Sequence, residues 1–463
     1  MTVKIHQLNL VNMNMTGNTS TSGDILEEFH QLLESGVLDS AREILNRLHP
    51  SEIADILESL PGKERGTVWN LLDPEVEGDV LSELQDAVRT DLLEQMHPQE
   101  VAEATKDLDI DDAADIIQDL PEDIQDSVLL SMDEQNRQRI SSVLSYHEDT
   151  AGGLMNTDVI SIRADVTFDV VSRYLRRIGN IPAGTDNLMV VDRENKYLGV
   201  LSLVNLLIRE PESNVSEFMI EESGIEAETP ATEVATIFEH RDLVSAAVVD
   251  KNNKLLGRIT IDDVVDVIQE KAEKTVRSMA GLGEDEMFSP VFYSARRRAL
   301  WLGINLATAF LASWVIGRFE DTIQQLVALA ILMPIVAGMG GIAGSQTLTI
   351  AIRGIALGQI SRSNIRALFS KELAVGMLNG IVWAFVVCLI VIFWFNDIHL
   401  GFIMGLAMII NLIIAALAGA SIPVFLKRFN IDPAIAGGVI LTTITDVIGF
   451  MTFLGLATIF LIS

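Results

Sequence analysis

Cysteine is almost absent. The single one, Cys388, lies inside an apolar run, so the chain has neither a disulfide framework nor a thiolate metal site. The first twenty residues are polar and lack the apolar core of a secretion signal, so the soluble part is expected to stay in the cytoplasm. Histidine is sparse and scattered (His6, His30, His49, His97, His147, His240, His399), and no nucleophile–base pair or phosphate loop accompanies it. An enzyme is therefore not expected. Basic side chains are also scarce over residues 1–288, which hold 23 of them against 58 acidic ones, a balance of −35. Such a surface excludes nucleic acid, whose phosphates need Lys and Arg, and favours cations as partners. Much of that charge also serves solubility.

What is present in abundance is apolar length, and it is confined to residues 289–463, where 6 acids meet 10 bases. Five spans read roughly as 299–318, 323–352, 370–395, 400–426 and 433–462; about 20 apolar residues suffice to cross a bilayer. Arg296, Arg297 and Arg298 precede the first span, Arg353, Arg362, Arg366 and Lys371 lie between the second and third, and Lys427 and Arg428 between the fourth and fifth. The alternate loops hold only Arg318 and no base. Positive residues stay inside, which places the N-terminal domains in the cytoplasm and the C-terminus outside, with Trp314 and Trp394 near outer span ends.

The last span carries one carboxylate well inside it, Asp446. A lone Asp at that depth costs roughly 2.5–3.5 kcal/mol, tolerable only if it faces protein, water or a cation. Thr442, Thr443 and Thr445 surround it, Gly437, Gly438 and Gly449 permit close helix approach, and Asp432 stands before Pro433 at the helix entrance. A cation site in a pore is the reading preferred over a protonated packing residue. Span two contains PIVAGMGGIAGSQ from Pro334, where Pro334 and Gly338, Gly340, Gly341 and Gly344 are expected to loosen the helix as a second pore wall. Small-residue packing is the alternative there. Asn305 and Asn411 are expected to join spans or face the pathway.

The soluble part holds two internal repeats. LHPSEIADIL from Leu48, LDPEVEGDVL from Leu72 and MHPQEVAEAT from Met96 recur at equal intervals, with a degenerate copy, LDIDDAADII, from Leu108. Each puts Pro or a polar residue at a helix start and acids in the first turn, the pattern of stacked short helices. His49 and His97 belong to these starts. Glu52, Glu75, Glu77, Asp91, Asp111 and Asp112 read mostly as a solvated face, a minority of them able to bind cations against another acidic surface. Further on, MVVDRENKYLGVLSL from Met189 matches AVVDKNNKLLGRITI from Ala247 at a constant offset, each reading as strand, turn, strand and helix. Two such α+β units fit a tandem pair of cystathionine-beta-synthase (CBS) modules. Their turns fail as calcium loops because Lys196 and Lys254 stand where an oxygen ligand is needed. They are expected to be hairpin turns.

Thr260 and Asp263 resemble the residues with which nucleotide-binding CBS modules hold ribose, so an adenine nucleotide such as ATP is a candidate there; Thr260 capping the helix from Ile261 is the alternative. The first module has Ser202 and Asn205 at the matching places. From Asp262 to about Gly281 an amphipathic helix leads towards the membrane. Asp262, Asp263, Asp266 and Glu270 recur along one side of it, where a divalent cation or plain solvent would relieve their repulsion.

The order of parts and the motifs together resemble the MgtE family of magnesium channels. TAGGLM (Thr150–Met155), PIVAGMGGIAGSQ in span two, DPA (Asp432–Ala434) and TDVIG (Thr445–Gly449) carry the resemblance, which covers nearly the whole chain. It implies a flexible segment 1–23, an all-α acidic helical superhelix over 24–149, CBS modules over 150–212 and 213–270, a connecting (plug) helix over 271–295 and a five-helix transmembrane α domain over 296–463. It further implies a plasma-membrane homodimer that takes up Mg2+ through a pore lined by the second and fifth spans, with Asp446 as pore ligand and Asp432 beside it. Cytosolic Mg2+ would then close the pore by binding Asp250, Asp262, Asp263, Asp266, Glu270 and Asp91. One departure stands out: the family's span-two motif has Asn where this chain has Ile342, which bears on ion selectivity. A transporter preferring Co2+ or Ni2+ ranks second, since no His, Cys or Met cluster lines the spans. A membrane-anchored CBS sensor without flux is the rival of a different class, and it leaves Asp446 unexplained.

Overall fold

In the N-terminal repeats, polar starts alternate with apolar runs too short for long helices, and short helices result. The computed structural model describes Phe29, residues 31–33, Ser35 and residues 37–182, 184–282, 291–361, 363–429 and 431–462. The expected flexible lead, His6, His30 and the middle of the connecting segment lie outside these residues. The chain folds as two units, divided in sequence between Lys271 and Ala272.

Within the first unit, helices α1 (Leu38–Leu45), α2 (Pro50–Glu58), α3 (Gly62–Trp69), α4 (Glu77–Glu83), α5 (Asp86–Leu93), α6 (Pro98–Ala104), α7 (Ile110–Gln118), α8 (Glu122–Ser131) and α9 (Glu134–Val143) follow one another. The repeat starts act as caps. His49 Nδ1 accepts from the Ser51 amide while Glu52 Oε2 accepts from the His49 amide at 2.9 Å, and Glu100 does the same for His97 at 2.8 Å. The second copy departs from the pattern: Asp73 to Val76 form a turn, closed by the Val76 amide on the Asp73 carbonyl, and the helix begins only at Glu77. Two buried arginines at equivalent places in successive repeats tie the helices together. Arg65 donates to the Leu57 and Leu60 carbonyls and to Asp91, and Arg89 to the Leu84 carbonyl, Asp86 and Asp119.

The α+β part carries its internal repeat into the register. Strands β1 (Ser161–Arg163), β2 (Asn187–Val191), β3 (Tyr197–Ser202) and β4 (Ile220–Glu221) form one sheet in that order; β5 (Ile225–Glu226), β6 (Ser245–Val249) and β7 (Leu255–Thr260) form the other. In each, a parallel pair leads into a hairpin, and both hairpins slip register at the same place, between Val190 and Val191 and between Val248 and Val249. The turns are hairpin turns. Asp192 accepts from the Glu194 and Lys196 amides, Asp250 from the Asn252 and Lys254 amides, and Asn195 and Asn253 take the left-handed conformation. Each turn also bonds the other, Tyr197 N to Asn253 O and Leu255 N to Asn195 O, as a pseudo-twofold pair requires. Helices α10 (Phe168–Ile178), α11 (Leu203–Ile208), α12 (Val215–Phe218), α13 (Ala231–Arg241) and α14 (Ile261–Met279) complete the modules. Ile116, Ile117 and Leu81 share one core with Phe238, Ile259 and Val264, so the helical part is welded to the second module. Burying each such side chain stabilises by roughly 1.5–3 kcal/mol.

The second unit contains α15 (Val291–Gly317), the short α16 (Glu320–Gln325), α17 (Ala328–Ala356), α18 (Ile365–Phe395), α19 (Ile398–Arg428) and α20 (Pro433–Ala457). Among the described residues, five helices are long and apolar enough to cross a membrane. Span two is not loosened: α17 runs unbroken through Pro334 and all four glycines. Lipid offers no partner to a freed backbone group, so the intact helix wins, and the proline forfeits a single hydrogen bond near its start. Instead the glycines shape two faces. A Cβ at Gly340 would lie 2.3 Å from Asn411 Nδ2 and one at Gly344 2.8 Å from Leu441, whereas Gly338 and Gly341 meet nothing. Gly437 packs on Leu348 and Gly449 on Asn411, while Gly438 is open.

Candidate functional site

Helical period sorts α17 into a packed face and an open one. Val336, Gly340, Gly344, Thr347 and Ala351 are buried. Turned away from them, Ala337, Gly338, Gly341, Ile342, Ser345, Gln346 and Thr349 line a groove of about 920 Å³, whose opposite wall is Thr442 and Asp446 of α20. The structure thus brings Asp446 onto the open face of the glycine-rich segment, and it leaves Ile342 as an exposed apolar side chain in the same wall. The threonines around Asp446 spend their hydroxyls on their own helix: Thr442 donates to Gly438 O, Thr443 to Val439 O and Thr445 to Thr442 O. Their oxygens keep acceptor lone pairs, and the Asp446 carboxylate supplies the negative charge in this wall. Asp432 stands apart as the N-cap of α20, accepting from the Ala434 amide at 2.8 Å. A shallow depression on α18 between Leu389, Ile390, Phe393 and Trp394 holds no ionisable group.

Two polar residues hold the packed face. Asn411 of α19 is fully buried and donates to the Val336 carbonyl at 2.8 Å, whereas Asn305 bonds its own helix at Trp301 O. Glu372 of α18, 3% exposed, accepts from Thr347 Oγ1 at 3.0 Å, and its other oxygen lies 3.3 Å from Lys371 Nζ. Nothing in the sequence singles out Glu372. Beside Lys371, at the margin of a span, it looks like an interfacial charge.

A second site lies within the first unit, where α7 faces the start of α14. Asp109, Asp111 and Asp112 bring carboxylate oxygens within 4.8 Å of one another. Asp111 is buried, and its Oδ1 has no hydrogen-bond partner. Across from them stand Asp262, Asp263 and Asp266, with Glu83 beside them. The crowding shows in the acidities. Burial first, then Asp263 and Asp109, pushes Asp112 up to about 7. Burial, then Asp262 and Asp266, raises Asp263 to about 6 against the opposing pull of Thr260. Asp111 is raised by burial, then by Asp263 and Asp112, and Asp266 by burial, then by Glu83 and Asp262. Asp115 reaches about 7, mainly through burial and despite Arg89.

The expected ligands stand in different surroundings. Asp111 and Asp112 are among the minority of these acids that meet another acidic surface, at the centre of the cluster. Asp91 is taken up by Arg65 at 3.1 Å. Asp250 is committed to its hairpin turn, whose amides hold its carboxyl below the usual range. Glu270 is exposed further along α14. Thr260 does not cap a helix amide with its hydroxyl: its Oγ1 and its amide both donate to Asp263 Oδ2 at 3.0 Å. The signal for Asp111 and Asp112 was their density in the degenerate repeat. The sequence could not indicate what faced them.

Known proteins resemble the chain along most of its length. The family described as "Divalent cation transporter" matches residues 333–456, the "MgtE intracellular N domain" residues 48–149, and the CBS domain residues 151–211 and 215–270. The "Magnesium transporter MgtE" of Thermus thermophilus is 31% identical over 440 residues, 92% of this chain and 96% of that one. Its namesake in Bacillus subtilis is 29% identical over 432 residues, 93% and 96% of the two chains. The one in Enterococcus faecalis is 29% identical over 442 residues, 94% and 97%. Among solved structures, the cytosolic domain of the Mg2+ channel MgtE in complex with ATP is 30% identical and covers 52% of this chain and 99% of that one, with a TM-score of 0.48.

Proposed function

The chain belongs to the MgtE family of divalent cation transporters, and from that premise we propose that it is a Mg2+ channel working as a homodimer in the plasma membrane, closed by cytosolic Mg2+. The observation that carries the transport reading is the groove, where a lone mid-span carboxylate faces a glycine-lined wall. Mg2+ gives up its water reluctantly and demands octahedral oxygen. A path for it needs few carboxylates at hydrated-ion distance and weak enough binding to permit exit. Asp446 supplies one such group, and a second copy across a twofold axis would supply its mate and the missing wall. Asp432, at the mouth of the same helix, would add negative potential. Exposed apolar side chains on α10 (Val170, Tyr174, Ile178), α11 (Val204, Leu207, Ile208) and α14 (Val265, Ile268) are consistent with a dimer contact in the CBS pair.

Regulation follows from the acidic cluster. With no cation, Asp109, Asp111 and Asp112 repel Asp262, Asp263 and Asp266 across the contact. A divalent ion there draws the two sides together, and the cost of separating them rises with its concentration. Helix α14, which carries three of these acids, runs unbroken to Met279, shortly before span one in the chain. Cytosolic Mg2+ thus favours one setting of this helix, the closed one, and shifts the population towards it. Arg and Lys in the loops after spans two and four support a cytoplasmic setting for these domains, with the C-terminus outside.

A second reading of the same corner involves nucleotide. Thr260 and Asp263 set a hydroxyl beside a carboxylate, the pairing a ribose diol needs, but the surrounding acids require the phosphates to bring their own Mg2+. Binding of ATP with Mg2+ that disappears in Thr260→Val would support it, and unchanged binding would remove it.

The function is tested in proteoliposomes with Mg2+ on one side and an internal Mg2+ indicator. Inward Mg2+ flux that falls as Mg2+ is raised on the cytosolic-domain side is expected. Flux absent at every Mg2+ concentration would favour a sensor without transport, and Co2+ or Ni2+ flux without Mg2+ flux would favour the rival transporter.

A further inference from the structure

On the packed side of the groove, α17 and α20 both meet one polar side chain of α19. Asn411 of α19 reaches between α17 and α20 where both carry glycine. A Cβ built on Gly340 would lie 2.3 Å from its Nδ2, and one built on Gly449 2.9 Å from the same atom. No side chain fits at either place while the amide is there. The amide is fully buried, and only half of it is satisfied: Nδ2 donates to Val336 O, while Oδ1 has no hydrogen-bond partner. An orphan buried oxygen is a cost that leucine, of similar volume, would not carry. Packing alone therefore does not call for asparagine here.

We infer that Asn411 is a positioning residue for ion passage, a polar wedge that fixes the separation of span two from span five and hence the width of the groove. The transmission is short. Gly341, in the groove wall, adjoins Gly340, and Asp446 lies three residues before Gly449, within one turn of α20. The donor anchors the wedge to the Val336 carbonyl, and the two glycines are the slots that receive it. A change of a few tenths of an ångström at this contact moves Asp446 relative to the facing wall, and a hydrated divalent ion is sensitive to that distance. This inference rests on reading the groove as the cation path.

A size-swap series in proteoliposomes tests it, with Mg2+ and the larger Ca2+ as the probe ions. Gly340→Ala, whose methyl collides with the amide, is expected to cut Mg2+ flux about tenfold. Asn411→Ala is expected to pass Mg2+ with weaker discrimination against Ca2+. The double variant Gly340→Ala with Asn411→Ala is expected to recover flux to that of Asn411→Ala, because the methyl then has room. The pair Gly449→Ala and Asn411→Ala serves as the second, independent cycle should Gly340→Ala not assemble, with size-exclusion profiles verifying folding. Additive losses in both cycles, or a Mg2+ to Ca2+ flux ratio unchanged in Asn411→Ala, would overturn the wedge while leaving the path intact. A wild type that passes no Mg2+ would overturn both.

Discussion

Glu372 sits beside Lys371 near the start of a span, where charges normally reach water, and the fold buries it against Thr347. Its sequence neighbours do not announce that setting as the apolar run does for Asp446. Removing Glu372 leaves the Thr347 hydroxyl without its acceptor in a dry place. Glu372→Ala should therefore cost about 1–3 kcal/mol, seen as earlier thermal unfolding in detergent, while Glu372→Gln should keep most of the stability. Equal losses in the two variants would mean that the charge, not the hydrogen bond, matters. Ile342 is the reverse case: the sequence flagged it as a departure, and the structure places it in the groove wall. Ile342→Asn adds a polar group facing the path and is expected to change the Mg2+ to Co2+ flux ratio. An unchanged ratio would take this position out of selectivity.

At the scale of elements, the internal repeats were legible because their constant offsets carry over into helix starts and strand registers. What lay across from each element was not. Acids at helical spacing along α7 and α14 look like solvated faces until the shared core brings the two helices together. Pro334 misled for a similar reason. Its local preference for a break was overruled by the need to keep every backbone group bonded in lipid. The buried arginines were also invisible, since Arg65 and Arg89 resemble surface residues in a one-dimensional reading. Arg89→Ala should destabilise the helical domain by about 3 kcal/mol, because Asp119 keeps its partly buried charge without a partner. Thermal unfolding of the purified protein measures this, and an unchanged midpoint would show that the ion pair contributes nothing net.

At the scale of the whole molecule, the acidic cluster makes stability depend on pH and Mg2+ together. Carboxyls whose acidity is weakened in the fold favour the protonated folded state. Their contribution is fully present below their unfolded value, near 4, and is lost as pH rises through about 6 for Asp263 and about 7 for Asp112 and Asp115. In Mg2+-free buffer the unfolding temperature of the cytosolic part should thus fall between about pH 4 and about pH 7. Saturating Mg2+ should flatten that slope by replacing the protons. Asp112→Asn should flatten it without Mg2+, and a slope insensitive to both would detach the cluster from cation sensing. Everything upstream of the membrane, though, has meaning only if ions pass where Asp446 faces the glycine wall. The direct measurement is Mg2+ influx into proteoliposomes at low internal Mg2+, comparing wild type with Asp446→Asn of matching size-exclusion profile. The account predicts robust flux in the first and loss to the level of empty liposomes in the second. Equal flux in both would contradict it and move the ion path away from Asp446.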